Sequence, residues 1–330
     1  MGGHRVERVR VEMAGASLTA GSVAQLTERN RALAEEVARL KVARNAVILA
    51  HNYQRPEVQD VADFVGDSLE LARKAAQVES ADVIVFCGVH FMAETAKIIN
   101  PGRVVLLPER TAGCPLADTI DVASLREWKQ RYPDAAVVCY VNSSAAVKAE
   151  SDACCTSANA RKVVESLPHS QILFVPDRNL GHFVSRQVSK QMILYPGACT
   201  THVRLTAKDV LEARERYPDA PVVVHPECEP EVVDLADAVL STSQMLRYVQ
   251  ASPARVFLVG TEAGLLHRMR AENPDKTFYV LSRALLCPNM KATHLKSVVR
   301  SLQENRYEIT LDEEVRLKAK RSLDRMLELI

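Results

Sequence analysis

No apolar run in this 330-residue chain reaches the roughly 18 residues that a membrane span needs. Charge of one sign is missing too: 42 Lys+Arg against 41 Asp+Glu leave a net charge of +1. That balance gives no general pull toward nucleic acid or anionic membrane. Any anion the protein holds must therefore be gripped by a local site. The first 22 residues carry basic side chains, and no apolar stretch resembling a signal peptide follows them. They read as part of a disordered or helical lead-in over 1–29, and the protein as cytoplasmic, with no nucleic-acid or membrane partner. Paired ligand motifs are also lacking, since there is no Cys-x-x-Cys and no His-x-x-x-His. In a reducing compartment the eight cysteines are not expected in disulfides and are left for metal or catalysis.

What the chain does have is alternation. Short apolar runs at 46–50, 83–86, 104–107, 136–139, 172–175, 192–194, 222–224, 256–259 and 278–281 are separated by amphipathic stretches such as 69–77 and 159–166. Runs this short, apolar on both faces, suit parallel strands covered by helices, and the pattern is α/β.

The alternation is periodic. Arg131-Tyr132-Pro133-Asp134-Ala135 recurs 85 residues later as Arg216-Tyr217-Pro218-Asp219-Ala220. Cys114 and Cys199 are 85 apart, and Cys199 and Cys287 are 88 apart. Asp63, Asp152 and Asp237 follow the same period, at spacings of 89 and 85. The sequence therefore predicts three homologous small parallel-sheet α/β/α domains around a pseudo-threefold axis, with a central active site. Expected bounds are 30–115 plus 289–330 for a discontinuous first domain, 116–200 for the second and 201–288 for the third.

Polar residues fall at equivalent places in each unit. The first strand ends at His51, Tyr140 or His225, and two residues later stand Tyr53, Asn142 and Glu227. Seventeen residues after the strand end come Ser68, Ser157 and Thr242. Ligands in open α/β sheets bind at the carboxyl ends of strands, so nine side chains can face one central cavity. The hydroxyls precede helices and read either as helix caps or as binders of carboxylate or phosphate. His225-Pro226-Glu227 pairs a histidine with a carboxylate, suited to acid–base work. Burial beside an apolar strand is expected to raise the Glu227 pKa toward neutrality, a shift that His225 or a nearby cluster iron can modify.

Each unit also carries one cysteine shortly after its last strand: Cys114, Cys199 and Cys287. A threefold arrangement brings their thiolates together, and three soft ligands suit zinc or an iron–sulfur cluster. A [4Fe–4S] cluster held by three thiolates keeps one iron open as a Lewis acid. Cys87, Cys139 and Cys228 lie in or beside strands and read as core, and Cys154-Cys155 as structural.

After about residue 30 the sequence resembles the quinolinate synthase family. The resemblance is carried by His51-Asn52-Tyr53-Gln54, Gly66-Asp67-Ser68, Gly113-Cys114-Pro115-Leu116-Ala117-Asp118, Tyr140-Val141-Asn142, Pro176-Asp177-Arg178-Asn179-Leu180-Gly181, Gly197-Ala198-Cys199 with His202, His225-Pro226-Glu227-Cys228 and Ser241-Thr242-Ser243. It implies a transferase condensing iminoaspartate with dihydroxyacetone phosphate to quinolinate for NAD biosynthesis. It also implies a [4Fe–4S] cluster on Cys114, Cys199 and Cys287. The substrate site it implies contains His51, Tyr53, Ser68, Tyr140, Asn142, Ser157, His202, His225, Glu227 and Thr242, and an iminoaspartate-producing oxidase is a possible transient partner. The competing readings are a cluster-bearing regulator, which the missing basic stripe disfavours, and a zinc-dependent lyase on the same scaffold.

Overall fold

The computed structural model describes residues 20–78 and 80–328. Among these, twelve strands form three four-stranded sheets. The first sheet contains β1 (Ala46–His51), β2 (Phe64–Gly66), β3 (Val83–Cys87) and β4 (Val104–Leu106). The second contains β5 (Ala135–Tyr140), β6 (Ala153–Cys155), β7 (Gln171–Val175) and β8 (Gln191–Leu194). The third contains β9 (Val222–Val224), β10 (Ala238–Val239), β11 (Val256–Gly260) and β12 (Thr277–Val280). Their orders are β2-β1-β3-β4, β6-β5-β7-β8 and β10-β9-β11-β12, with every pairing between these strands parallel. The α/β class with three like units is thus present. The inner strands are buried on both faces, as their unbroken apolar runs require.

All nine apolar runs are strands, and each unit adds a second, shorter one. Strands β2, β6 and β10 are two or three residues long, too short for a periodicity signal. An aspartate starts each of them. The carboxylates of Asp63, Asp152 and Asp237 accept the N–H of Ile48, Val137 and Val222 at 2.8, 2.7 and 2.7 Å. Each aspartate N–H in turn donates to the carbonyl of the same partner, at 2.9, 3.1 and 2.9 Å. The side chain supplies an extra rung that sets an edge strand in register where little apolar surface does so.

The C-terminal part of the chain divides between two units. Helix Leu295–Glu304 packs against helix Ala20–Ala43. Beyond it, Tyr307 and Ile309 pair antiparallel with Leu107 and Val105, extending the first sheet. Helix Glu313–Glu328 instead packs on helix Ala145–Ala149 and β6 of the second unit. Its buried Ala319, Leu323 and Met326 face that unit's core, and Ser322 Oγ donates to the Lys148 carbonyl at 2.9 Å. The expected assignment of all of 289–330 to the first domain did not foresee this divided packing. Residues 1–19 of the expected lead-in lie outside the described residues. Among the described residues no helix is long and apolar enough to cross a membrane.

Replacing Asp63, Asp152 or Asp237 by Ala leaves a strand N–H without its acceptor. Each substitution is expected to cost about 1–2 kcal/mol and to lower the melting temperature by a few degrees. The three losses should be similar, because the three rungs are equivalent; calorimetry of the single variants checks this.

Candidate active site

The first strands of the three sheets point their carboxyl ends at one cavity. It is lined by His51, Tyr53, Tyr140, Asn142, His202, His225, Glu227 and Glu262, and by the sulfur-bearing residues Cys114, Cys199, Cys287 and Met290. The imidazoles His51 and His225 are held by the same local device. Each Nδ1 accepts the backbone N–H two residues on, from Tyr53 at 3.1 Å and from Glu227 at 3.4 Å. For His51 that bond leaves the ring proton on Nε2, while His225 has Nε2 3.3 Å from the Ser157 hydroxyl and its Nδ1 beside Glu227 as well.

The equivalent hydroxyls do not act as helix caps. In two units that task falls to the residue before: the side chain of Asp67 accepts from the N–H groups of Leu69 and Glu70, and Ser241 Oγ from Gln244. In the second unit helix Ala160–Ser166 starts later, and Thr156 Oγ1 accepts from Ala158 in the turn before it. Ser157 reaches the cavity through His225, whereas Thr242 is buried and accepts from Asn52 Nδ2 at 3.2 Å. Ser68 borders a small separate pocket with Phe86, Phe91 and Met92.

The three cysteine loops are pinned alike. The residue following the turn after β3, β7 and β11 donates its N–H to the carbonyl two positions before the cysteine. These bonds are His90 to Ala112 at 2.8 Å, Arg178 to Gly197 at 2.8 Å and Ala263 to Leu285 at 2.9 Å. Position 197 has to be glycine, since a Cβ there would lie 2.6 Å from the Pro176 carbonyl oxygen. Each sulfur then sits at the start of a turn whose N–H groups approach it: Leu116 and Ala117 at Cys114, His202 at Cys199, and Asn289 and Met290 at Cys287. All three thiols are free. Burial pushes Cys114 up to about 12, and it raises Cys199 and Cys287 as well. Neighbouring sulfurs add to the rise at Cys114 and Cys199, so the set is stable as thiolates only around a compensating cation. Three thiols on one cavity, each approached by N–H donors, is a donor set that fits an iron–sulfur cluster.

Beside the thiols runs a chain of acid–base groups. The Tyr53 hydroxyl and Thr261 Oγ1 are 2.6 Å apart, and Thr261 Oγ1 is 3.0 Å from His202 Nε2. His202 Nδ1 lies 2.7 Å from Glu227 Oε2 and 3.2 Å from Cys199 Sγ. His225 Nδ1 is 3.3 Å from the same carboxylate, and Asn142 Nδ2 donates to its other oxygen at 3.4 Å. Burial opposes ionisation of Glu227, but the imidazoles of His225 and His202 outweigh it and hold the carboxyl well below its usual range. The expectation that Glu227 would rise toward neutrality is corrected: His225, foreseen as a modifier, and His202, whose contact the spacing did not reveal, together reverse the shift. Burial keeps the phenols of Tyr53 and Tyr140 protonated, and the charge of Glu227 reinforces it.

Ten of the thirteen residues singled out from the sequence line the cavity, and Ser157 touches it through His225. Sequence reasoning missed Thr261 and Glu262, which end β11 as buried polar residues. Glu262 stands 85 residues after Asp177, the period already visible elsewhere, and that spacing was the available signal.

Burial, followed by the charges of Lys291 and His225, lowers His51 to about 3. Between the ordinary value near 6.5 and about 3 the unfolded chain therefore holds a proton that the folded one refuses. Stability should be lost as the pH is lowered from about 6.5 to about 3, by up to about 1.4 kcal/mol per unit. In metal-free protein the His51 ring resonances should report a neutral imidazole at pH 5, and His51→Gln should flatten the acid limb by about one proton.

The sequence profile described as Quinolinate synthetase A protein matches residues 35–328. A quinolinate synthase of Thermodesulfovibrio yellowstonii is 56% identical over 297 residues, 90% of this chain and 98% of its own. One from Geobacter metallireducens is 55% identical over 293 residues, covering 89% and 96% of the two chains. A third, from Methanosarcina barkeri, is 52% identical over 295 residues, covering 89% and 97%. A profile match over 35–328, which spans all three sheets, and identity above one half over about nine-tenths of the chain leave one conclusion: the chain belongs to the quinolinate synthetase A protein family.

Proposed function

We propose that this chain is an enzyme of NAD biosynthesis, a transferase that condenses iminoaspartate with dihydroxyacetone phosphate to quinolinate. Atom balance requires phosphate and two waters to leave. One observation carries the reading: three free thiols, one from each unit, face the same cavity as a buried acid–base chain. Cys114, Cys199 and Cys287 would hold a [4Fe–4S] cluster, which when bound would offer an open iron as a Lewis acid toward substrate oxygens.

The remaining chemistry falls to the chain's own side chains. Ring closure removes protons from carbon and delivers them to departing oxygens, which needs bases and acids in one place. Glu227, ionised between two imidazoles, is the base. His202 Nδ1–H donates to the ionised carboxylate, His202 Nε2 accepts from the Thr261 hydroxyl, and the Tyr53 hydroxyl, a protonated phenol able to donate, heads this relay toward Glu227. His51 and Tyr140 orient substrate as neutral donors. Asn142 Oδ1 is buried without a partner, and a substrate N–H or O–H satisfies it. Ser157, which meets the cavity through His225, serves a carboxylate or phosphate group on the same substrates, while Ser68 and Thr242, outside the cavity lining, would reach them only if the cavity widens on binding. Iminoaspartate hydrolyses readily as an imine, so delivery by transient contact with the oxidase that makes it belongs to this reading, as does a cytoplasmic location.

Cys199 Sγ, His202 and Glu227 lie within 4.8 Å of one another, a set that suits a single zinc ion. That alternative uses one cysteine and leaves Cys114 and Cys287 without a purpose. Anaerobic purification with iron, sulfide and zinc analysis separates the two: iron and sulfide support the proposal, and zinc alone refutes it.

Cys114→Ala, Cys199→Ala and Cys287→Ala are each expected to abolish cluster retention. Cys87, Cys139, Cys154, Cys155 and Cys228, all buried away from the cavity lining, are expected to tolerate Ser or Ala with the visible spectrum intact. A wild-type spectrum in Cys199→Ala contradicts the assignment.

Glu227→Gln keeps the shape and removes the base, so quinolinate formation should fall at least ~100-fold with cluster content unchanged. Thr261→Val interrupts the relay without touching the carboxylate, and a smaller loss, about 10-fold, is expected from it. Near-normal turnover in Glu227→Gln would move the proton-transfer role to Tyr53 or a histidine.

A further inference from the structure

Strand register identifies which residues are equivalent in the turns after the third strands. Cys87, Val175 and Gly260 pair with Ala50, Cys139 and Val224 respectively, each the residue preceding a first-strand site residue. Two positions on stand Val89, Asp177 and Glu262. The two acids do the same thing. Asp177 Oδ2 accepts the backbone N–H of Cys199 at 3.2 Å, and Glu262 Oε1 accepts that of Cys287 at 3.1 Å. Both side chains are fully buried, and both are held by a second bond on the other oxygen. Asp177 Oδ1 accepts from Leu180 N–H at 2.7 Å, and Glu262 Oε2 from Gly264 N–H at 2.7 Å. Lys291 completes the third unit's version, pairing with Glu262 at 2.9 Å and donating to the Tyr53 carbonyl.

We infer that Asp177 and Glu262 are positioning residues that fix Cys199 and Cys287 in the conformation that ligates the cluster, an inference that rests on the cluster reading above. A carboxylate anchored by two amides is rigid. Bonding it to the cysteine N–H adds a second restraint to the loop beyond the main-chain bond two residues earlier. The sulfur of each cysteine is then left to its own turn's N–H donors and to iron. Val89 offers no acceptor, so Cys114 relies on the main-chain bond alone. The three ligands are therefore unequally held, with Cys199 and Cys287 the firm pair. Lys291 ties the Glu262 anchor to the Tyr53 loop, which puts the third cysteine and a catalytic phenol on one support.

Asp177→Asn and Glu262→Gln test this, since each amide keeps the shape but satisfies only one of the two N–H groups. Glu94→Gln is the control. Glu94 is also buried and accepts a backbone N–H, from Ala145 at 2.9 Å, but supports no cysteine. Reconstituted proteins are exposed anaerobically to a chelator, and iron release is followed by the visible spectrum. Resonance Raman reports the iron–thiolate stretches, and melting of the cluster-free proteins reports the fold. The expected result is iron release at least about 10-fold faster in both variants, the lower range for partners that orient metal ligands. It is accompanied by shifted iron–thiolate bands and a near-wild-type rate in Glu94→Gln. The two variants are read independently, so misfolding of one leaves the other to decide. Release within twofold of wild type, or equal acceleration in Glu94→Gln, overturns this inference alone. Wild-type protein that takes up no iron and sulfide overturns the cluster reading and this inference with it.

Discussion

Three main-chain hydrogen bonds hold the site together: His90 to Ala112, Arg178 to Gly197 and Ala263 to Leu285. Each joins the turn after a third strand to the loop that carries a cysteine. Without them the loops after β4, β8 and β12 have no reason to bend toward the same point, because each sheet ends well before its cysteine. With them, the cavity is an outcome of the sheet order repeated three times. The bonds use only backbone, so the sequence around them can differ, as Ala112, Gly197 and Leu285 show. Glycine is needed at the one copy where another carbonyl crowds the position.

Much of this was legible from spacing. The period of about 85 residues located the units, the strand-end polar residues and all three cysteines before any geometry was available. What stayed hidden was contact between loops that the spacing does not relate. Nothing in the spacing of His202 and Glu227 says that they touch, yet His202, together with His225, lowers the carboxyl's pKa against the effect of burial. Thr261 was hidden for a similar reason, since it bonds His202 within its own unit and Tyr53 of the first unit. The short edge strands escaped because an aspartate, and not an apolar pattern, defines them. The division of the C-terminal segment escaped because an amphipathic helix does not announce which of two apolar surfaces it will cover.

Placing so many polar groups out of water is costly unless each finds a partner. His51, Asn52, Asn179, His202, Glu227, Thr242, Thr261 and Glu262 are all buried, and each has a hydrogen-bond or ion-pair partner within the protein. Asn142 Oδ1 departs from that rule inside the cavity. The centre of the molecule is thus a largely satisfied polar network surrounded by three apolar sheets.

The path of the chain has a consequence for biosynthesis. Helix Glu313–Glu328 closes over the second unit, and residues 307–309 complete the edge of the first. Cys287, the third thiol, also comes late in the chain. Domains emerging from a ribosome fold in order from the N-terminus, so the first two units appear with one edge strand unpaired and one core face bare. Until residues 307–328 have emerged, a nascent chain therefore presents an unpaired sheet edge on its first unit and a bare apolar face on its second, two surfaces for chaperones to shield.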